Sequence, residues 1–340
     1  MDFIHQESIL SFKELVQNAA RVAVVGHTHP DGDALGATTA MALHLLSIGK
    51  KETACLFPDS PGENLQFILS PDVPYLFHDR EAEKTEAFLR GADLIILLDA
   101  NAFNRTEDLE PLLEASAGKK VLMDHHLNPD RDAFDLAFST PDISSASELL
   151  YWVLRTFSDS LPVPIGEALM AGMTTDTNNF ANSVYPSTFR MASELMASGV
   201  DRDALLQKIY NNYRENRVRL MGYMQNEGLR LLPSGGAYMI LTREIQQRFD
   251  LREGESEGLV NIPLTIGQVR LSILLKETED HFRVSIRSKK GTSAQELARR
   301  FFHGGGHENA SGGKLFIGRD IASAREADGY VENALNTFLK

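Results

Sequence analysis

Aspartate and histidine recur in this chain at spacings that suit metal chemistry. The segment Gly26-His27-Thr28-His29-Pro30-Asp31-Gly32-Asp33 sets an imidazole close to two carboxylates. Asp99 follows the apolar run Asp93-Leu94-Ile95-Ile96-Leu97-Leu98, and Asp124-His125-His126 follows Lys120-Val121-Leu122-Met123. Asp176, in Thr174-Thr175-Asp176-Thr177-Asn178, ends an apolar helical stretch. Each has an ordinary explanation alone: an Asp after a strand is usually a helix N-cap, and a lone His is usually structural or on the surface. Capping does not explain why four separated segments end in the same residue types, whereas a polynuclear metal site does. Imidazole plus several carboxylates, without thiolate, suits Mn²⁺, or Fe²⁺, Co²⁺ or Mg²⁺, better than structural zinc. His27, Asp31, Asp33, Asp99, His125 and Asp176 make six candidate ligands. One six-coordinate ion would leave no position for water or substrate. Two ions sharing a bridging carboxylate keep positions open, and dications about 3.5–4 Å apart are the usual machinery of phosphoryl hydrolysis.

The elements that must position these residues alternate. Arg21–Gly26, Thr53–Phe57, Asp93–Leu98 and Lys120–Met123 read as short buried strands, with helical patterns between them, for example over Asp33–Ile48 and Glu81–Arg90. That is the βαβ rhythm of a doubly wound, mostly parallel α/β sheet, in which ligands bind beyond the carboxyl ends of the strands. Three of the four strand candidates end in the His and Asp residues above. Residues 144–158 and 165–178 read as helices, and from Ser187 to about Leu229 the pattern stays helical with a break near Asn211-Asn212. Strands follow at 236–241, 267–276 and 281–288, the last two as a hairpin around Glu279-Asp280, then helices at 293–300 and 321–338. The expected organisation is a metal-binding domain over 1–186, a helical connector over 187–229 and a smaller α/β domain over 230–340, with the active site in the cleft between the two domains.

Composition sets limits on function. The 340 residues carry a net charge of −13, with 43% hydrophobic and 24% charged residues. This excludes a disordered, collagenous or coiled-coil protein, and a strongly acidic chain is a poor partner for long duplex DNA. The charge is uneven. Residues 1–200 hold 13 Lys+Arg against 29 Asp+Glu, a net of −16, and residues 201–340 hold 21 against 18, a net of +3. Cys55 is the single cysteine, so neither an internal disulfide nor a thiolate zinc cluster is available. Met1–Glu7 lacks a basic segment followed by an apolar one, and no apolar run approaches the ~20 residues of a membrane helix. The expected setting is a reducing cytoplasm without membrane attachment, and the sequence leaves a homodimer open.

These motifs, in this order, resemble the DHH phosphoesterase superfamily, whose triplet is seen here as Asp124-His125-His126. Gly304-Gly305-Gly306-His307-Glu308-Asn309-Ala310-Ser311-Gly312-Gly313 is similar to the signature of the associated DHHA1 domain. The size and domain set look like the bifunctional oligoribonuclease (nano-RNase) and pAp phosphatase subfamily. The resemblance implies that His27, Asp31 and Asp99 hold one metal, and that Asp33, Asp99, His125 and Asp176 hold the other, with Asp99 bridging. It implies that His126 lies near the substrate, for phosphate contact or proton transfer, and that Asp124 orients an imidazole. Arg105 stands where related proteins carry an arginine facing the phosphate. In the C-terminal part, Arg287, Gly305, Gly306 and His307 are implied to grip the terminal phosphate, the glycines by letting backbone N–H groups approach an anion.

The expectation is therefore a phosphoesterase using two divalent ions, Mn²⁺ first, then Mg²⁺ or Co²⁺. It would cleave very short oligoribonucleotides to mononucleotides and 3′-phosphoadenosine 5′-phosphate (pAp) to AMP. A linear or cyclic dinucleotide phosphodiesterase is the alternative, and an exopolyphosphatase or pyrophosphatase the more distant one. The complete ligand set argues against a catalytically silent binding protein.

Overall fold

The structure is a computed structural model that describes residues 4–340. Met1–Phe3, part of the N-terminal stretch read above, lie outside the described residues. Contacts divide the protein into two units, meeting at Asn212 and Tyr213.

In the first unit the elements run α1 (Gln6–Asn18), β1 (Arg21–Val25), α2 (Gly32–Ser47), β2 (Glu52–Phe57), β3 (Tyr75–Phe77), α3 (His78–Arg90), β4 (Leu94–Leu98), α4 (Glu110–Ala115), β5 (Lys119–Asp124), β6 (Leu136–Ser139), α5 (Ala146–Leu154), α6 (Val163–Asp176), α7 (Pro186–Ala197) and α8 (Arg202–Tyr210). All six strands are parallel, in the order β3-β2-β1-β4-β5-β6. Successive residues of a strand point to opposite faces. Val22, Val24, Ile96 and Val121 therefore join the core under α1, α2, α5 and α6, while Ala23, Val25, Ile95 and Leu122 join the core under α3 and α4. Helices on both faces explain why the strands read as continuous apolar runs. The strand order reverses between β1 and β4, which opens a crevice at their carboxyl ends.

Two edge strands, β3 and β6, and helix α1 carried no expectation from the sequence. The helical run expected from Ser187 breaks where expected at Asn211, and also at Gly199. That glycine takes φ +106° and lets Asp201 cap α8 through Ala204 N–H, at 2.9 Å. Among the described residues no helix is long and apolar enough to cross a membrane.

The second unit comprises α9 (Glu215–Tyr223), β7 (Arg230–Leu231), β8 (Gly236–Leu241), α10 (Arg243–Arg248), β9 (Leu271–Glu277), β10 (His281–Ser288), α11 (Ala294–Phe301), β11 (Gly305–Gly306), β12 (Ala310–Phe316) and α12 (Ala327–Phe338). Its sheet is mixed, in the order β11-β12-β10-β9-β8-β7, with β8 and β9 parallel and the other neighbours antiparallel. The expected hairpin between β9 and β10 is present. The last helix begins at Ala327 rather than 321, because Ile321 first bridges Ile317. Phe302, next to the glycine-rich segment, is fully buried in the core under α11 and α12.

Helices α2 and α6 cross at glycine-sized contact. A Cβ at Gly36 would stand 2.5 Å from the Ala168 carbonyl oxygen and 2.9 Å from the Gly172 Cα. At an exposed helical site Gly to Ala gains about 1 kcal/mol of propensity. Here overpacking against backbone costs about 1–3 kcal/mol, so the clash wins. The Gly36→Ala protein should unfold at lower denaturant than wild type, and a higher midpoint would show that the crossing is not tight.

Candidate metal centre

Three of the parallel strands deliver side chains at their carboxyl ends. His27 follows β1, Asp99 follows β4, and Asp124 closes β5 with His125 and His126 beyond it. Asp31 caps α2, its Oδ1 accepting from Asp33 N–H at 3.0 Å and Ala34 N–H at 3.1 Å. Asp33 sits in the first turn of that helix and Asp176 ends α6, so the glycine crossing of α2 on α6 brings these two acids together.

The six candidate ligands converge as two clusters, His27–Asp31–Asp99 and Asp33–His125–Asp176. Asp99 faces both. Its Oδ2 lies 3.5 Å from His27 Nε2 and its Oδ1 lies 3.3 Å from His125 Nε2. His27 Nε2 is also 3.8 Å from Asp31, and His125 Nε2 is 3.7 Å from Asp176 and 3.9 Å from Asp33. Asp99 takes φ +60°, a left-handed backbone that is costly for a residue with a side chain. Its N–H is held by the Met123 carbonyl at 3.1 Å. The ring of His27 donates through Nδ1 to the Thr28 carbonyl, 2.7 Å away, because a carbonyl can only accept. That leaves Nε2 as the atom facing the carboxylates.

The donor set fits a cation. Asp99 is 2% exposed, and its Oδ1 is buried without a hydrogen-bond partner. Burial raises the Asp33 carboxyl, and the charges of Asp99 and Asp176 raise it further. Asp176 is pushed up to about 6, by burial first and Asp99 next. Burial works against a charged His27, yet the Asp31 and Asp99 carboxylates overcome it and push the imidazole up to about 10. His125 is raised well above the ordinary value in the same way, against burial, by Asp99, Asp176 and Asp33. Asp99 is held far below the carboxylate range by His125 and His27 despite its burial. The pocket thus gathers protons wherever positive charge is needed, and a divalent ion answers the same demand.

The second His of the triplet is held differently. Asp124, fully buried, accepts from His126 N–H at 3.0 Å and contacts His126 Nδ1 at 2.7 Å. The imidazole that Asp124 orients is therefore His126, not His125. Arg105 has an exposed side chain, and its carbonyl accepts from Thr28 N–H at 2.9 Å, which ties its loop to the His27 loop.

Two residues that sequence reasoning missed hold this arrangement. Asp59, just past β2, accepts from Thr28 Oγ1 at 2.9 Å and His29 N–H at 2.6 Å, and pairs with His29 Nδ1 at 2.9 Å. It fixes the His27 loop where His29 takes φ +53°. The signal was its place after the one strand candidate given no ionisable residue. Glu148 is a fully buried carboxylate that accepts from Ser144 N–H, Thr188 Oγ1 and Trp152 Nε1 at 3.1, 2.7 and 3.2 Å. It fixes the start of α5, where Ala146 N–H and Ser147 N–H donate to Asp33 at 2.6 and 3.0 Å. Its signal was Ser145-Ala146-Ser147-Glu148, the spacing of a capping box.

In the second unit, Arg287 lies on β10 opposite Ala310 of β12. Gly305 and Gly306 form β11, and His307 begins the turn back to β12. A Cβ at Gly304 would stand 1.9 Å from the Gly312 carbonyl oxygen, and Gly306 takes φ +139°. Asn309 bonds Ser288, Lys289 and Thr292, and Ser311 Oγ donates to the His307 carbonyl at 2.8 Å, so both serve the loop itself.

Comparison with known proteins adds names to this geometry. Residues 21–175 match the family model "DHH family, N-terminal domain", and residues 237–327 match the DHHA1 domain. The chain is 29% identical over 296 residues to a probable bifunctional oligoribonuclease and PAP phosphatase NrnA of Streptococcus mutans, covering 85% of this chain and 88% of that protein. It is 27% identical over 297 residues to the Bacillus subtilis bifunctional oligoribonuclease and PAP phosphatase NrnA, with 85% and 88% covered. The crystal structure of an exopolyphosphatase-related protein from Bacteroides fragilis superposes with a TM-score of 0.90 at 35% identity, over 99% of this chain and 97% of that one.

The charge states above fix how cation binding must depend on pH. His27, His125, Asp33 and Asp176 all hold protons more tightly than free side chains, and each must shed its proton to offer a lone pair. Mn²⁺ affinity should therefore climb as pH rises from 6 to 8, and binding at pH 7 should release at least one proton. Calorimetry in two buffers of different ionisation enthalpy reads the release directly, and heats independent of buffer would contradict it.

Proposed function

Since the chain belongs to the DHH phosphoesterase superfamily, with a DHHA1 domain after its DHH domain, we propose that it hydrolyses very short oligoribonucleotides to mononucleotides and pAp to AMP. The observation that carries the reading is Asp99, which turns one carboxylate oxygen to each of two His-and-Asp clusters. The relatives named as bifunctional oligoribonuclease and PAP phosphatase support the substrate class.

His27, Asp31 and Asp99 would hold one divalent ion, and Asp33, Asp99, His125 and Asp176 the other, with Mn²⁺ best suited to nitrogen and carboxylate donors. Such ions supply Lewis acidity, lowering the pKa of water and offsetting charge on the phosphoryl oxygens. The rest falls to the protein. Hydrolysis joins a water oxygen to phosphorus and breaks the bond to the leaving ribose oxygen, which must gain a proton. His126 suits that role or a phosphate contact, because its Nδ1 is committed to Asp124 and the ring cannot turn away. The Asp59 and Glu148 networks hold the carboxylates against their mutual repulsion. Arg287 and His307 would bind an end phosphate through charge-assisted hydrogen bonds, with Arg105 as a further phosphate contact.

A panel with Mn²⁺ tests the reading: dinucleotide, five-mer RNA, pAp, cyclic dinucleotide and pyrophosphate, with kcat/KM for each. The five-mer, dinucleotide and pAp should lead, and preference for cyclic dinucleotide or pyrophosphate would overturn the assignment. Asp99→Ala should cost roughly 10³-fold or more in kcat, the order expected when several kcal/mol of metal-assisted stabilisation is lost. Activity retained after chelation and metal refill would sink the two-ion reading. Arg287→Ala should raise KM, and a large fall in kcat at unchanged KM would argue against an anchoring role.

A further inference from the structure

The second sheet has one edge that its last strand covers only in part. The order runs from β11 at one edge to β7 at the other, with β8 beside β7. β7 has two residues, Arg230 and Leu231, which pair with Tyr238 and Ala237. Past Tyr238 the outer edge of β8 has no partner strand among the described residues, while its inner edge continues on β9 as far as Leu241. The Gly236 carbonyl accepts from Leu232 N–H at 2.9 Å, so it points to the outer edge. Backbone groups of a strand repeat that direction at every second residue. Ile240 therefore holds an N–H and a C=O side by side where β7 has stopped.

A cavity of about 280 Å³ lies on that open edge, at the small end of ligand sites. Its floor is Tyr238, Ile240 and Thr242. Tyr223, Glu227 and Gly228 stand on one face of the sheet, and Ala324, Arg325 and Asp328 on the other. Arg230 of β7 closes one end and Ile245 of α10 the other. Tyr238 to Thr242 is four strand steps, about 13 Å. Both ends would stop an added β-strand, so the cavity suits a small molecule. Every one of these residues belongs to the second unit, and none is among those assigned to metal or phosphate. The glycine-rich segment is at the opposite edge of the sheet.

Two further observations point to a ligand. The wall at Glu227 and Gly228 is a π-helical turn, Met224–Gly228, which extends α9. Such turns are rare and gather at functional sites. The charges around the cavity are also unspent. Arg325 is exposed and forms no ion pair among the described residues. Arg230 donates to the Glu227 and Leu229 carbonyls, at 2.8 and 3.3 Å, and it too meets no carboxylate among the described residues. A guanidinium has five N–H donors, so donors remain on both. Asp328 Oδ1 accepts from the buried Tyr238 hydroxyl at 3.0 Å, which steadies the carboxylate and leaves its other oxygen for a second donor.

We propose that this cavity binds a nucleoside monophosphate, at a site separate from the metal centre. The edge of a nucleobase carries a hydrogen-bond donor beside an acceptor, and these pair with the C=O and N–H of Ile240. The ring of Tyr223 supplies a surface on which the base stacks. Arg325 and Arg230 take the phosphate through charge-assisted hydrogen bonds. Asp328 and Glu227 accept from the ribose hydroxyls, as an acidic residue does in dinucleotide sites. Phosphate, ribose phosphate and free nucleoside each satisfy only part of this set. The site stands apart from the catalytic reading. Where the chain does cleave RNA to mononucleotides, the ligand is of the same class as the product.

Equilibrium dialysis of labelled AMP against the full chain in EDTA counts sites without turnover. At saturation wild type should bind one AMP more per chain than Arg325→Glu. The variant should melt with wild type, because the side chain is exposed. Arg325→Lys should keep that AMP at reduced affinity, and Arg287→Ala should keep it unchanged. Adenosine and ribose 5-phosphate should each displace it about tenfold more weakly than unlabelled AMP, the loss of one good contact. Equal stoichiometry in wild type and Arg325→Glu overturns the site. So does displacement by ribose 5-phosphate or inorganic phosphate as readily as by AMP. The two readings fail separately. If wild type binds the extra AMP but cleaves neither RNA nor pAp, the proposed function falls and the site stands. Cleavage without the extra AMP removes the site alone.

Discussion

The structure of the first unit depends on holding like charges together. Asp33, Asp99 and Asp176 meet at one point with Asp31 close by, and Asp33 and Asp99 are almost wholly removed from water. An uncompensated buried charge costs several kcal/mol. The cluster persists only with positive charge between the carboxylates, either protons on His27 and His125 or bound cations. Demand for countercharge and capacity to bind a metal are therefore one property, and the surrounding scaffold keeps the acids from moving apart.

Three devices do this. The strand ends at the reversal of strand order set His27, Asp99 and the Asp124 triplet side by side without any long loop. The crossing of α2 on α6 is close enough that a Cβ at Gly172 would stand 2.9 Å from Asp33 Oδ1, so the helix carrying Asp176 cannot drift from the one carrying Asp33. The N-terminus of α5 spends two N–H groups on Asp33, and Glu148 fixes that turn from behind. A helix N-terminus favours negative charge, which partly offsets the repulsion that raises the Asp33 carboxyl.

What could be read from the sequence follows from this division of labour. Ligands must be particular residue types at the ends of apolar strands, so type and position betray them. Asp59 and Glu148 act through hydrogen bonds to loops and turns, and nothing in periodicity distinguishes them from other acids. Asp124 could be foreseen as orienting an imidazole, but two adjacent histidines gave no means of choosing between His125 and His126. Strands β3 and β6, of three and four residues at the sheet edges, are too short to show a period. Helix α1 did carry a readable stripe, Ile9, Phe12 and Val16, all buried. The glycine-rich segment read as one motif, whereas contacts separate glycines required by packing from Gly305 and Gly312, which packing does not require.

The uneven charge also acquires a physical sense. Net charge says that an acidic protein should repel a polyanion, but charges beyond a Debye length, about 8 Å at physiological salt, are largely screened. What an approaching anion meets is the local surface. Arg287 and the glycine-rich segment Gly304-Gly305-Gly306 belong to the part of the chain that is +3 overall, whereas the carboxylates that demand countercharge belong to the part that is −16. The acidity of the first part therefore reflects a site that gathers cations, and the overall −13 does not measure how the second part meets an anion.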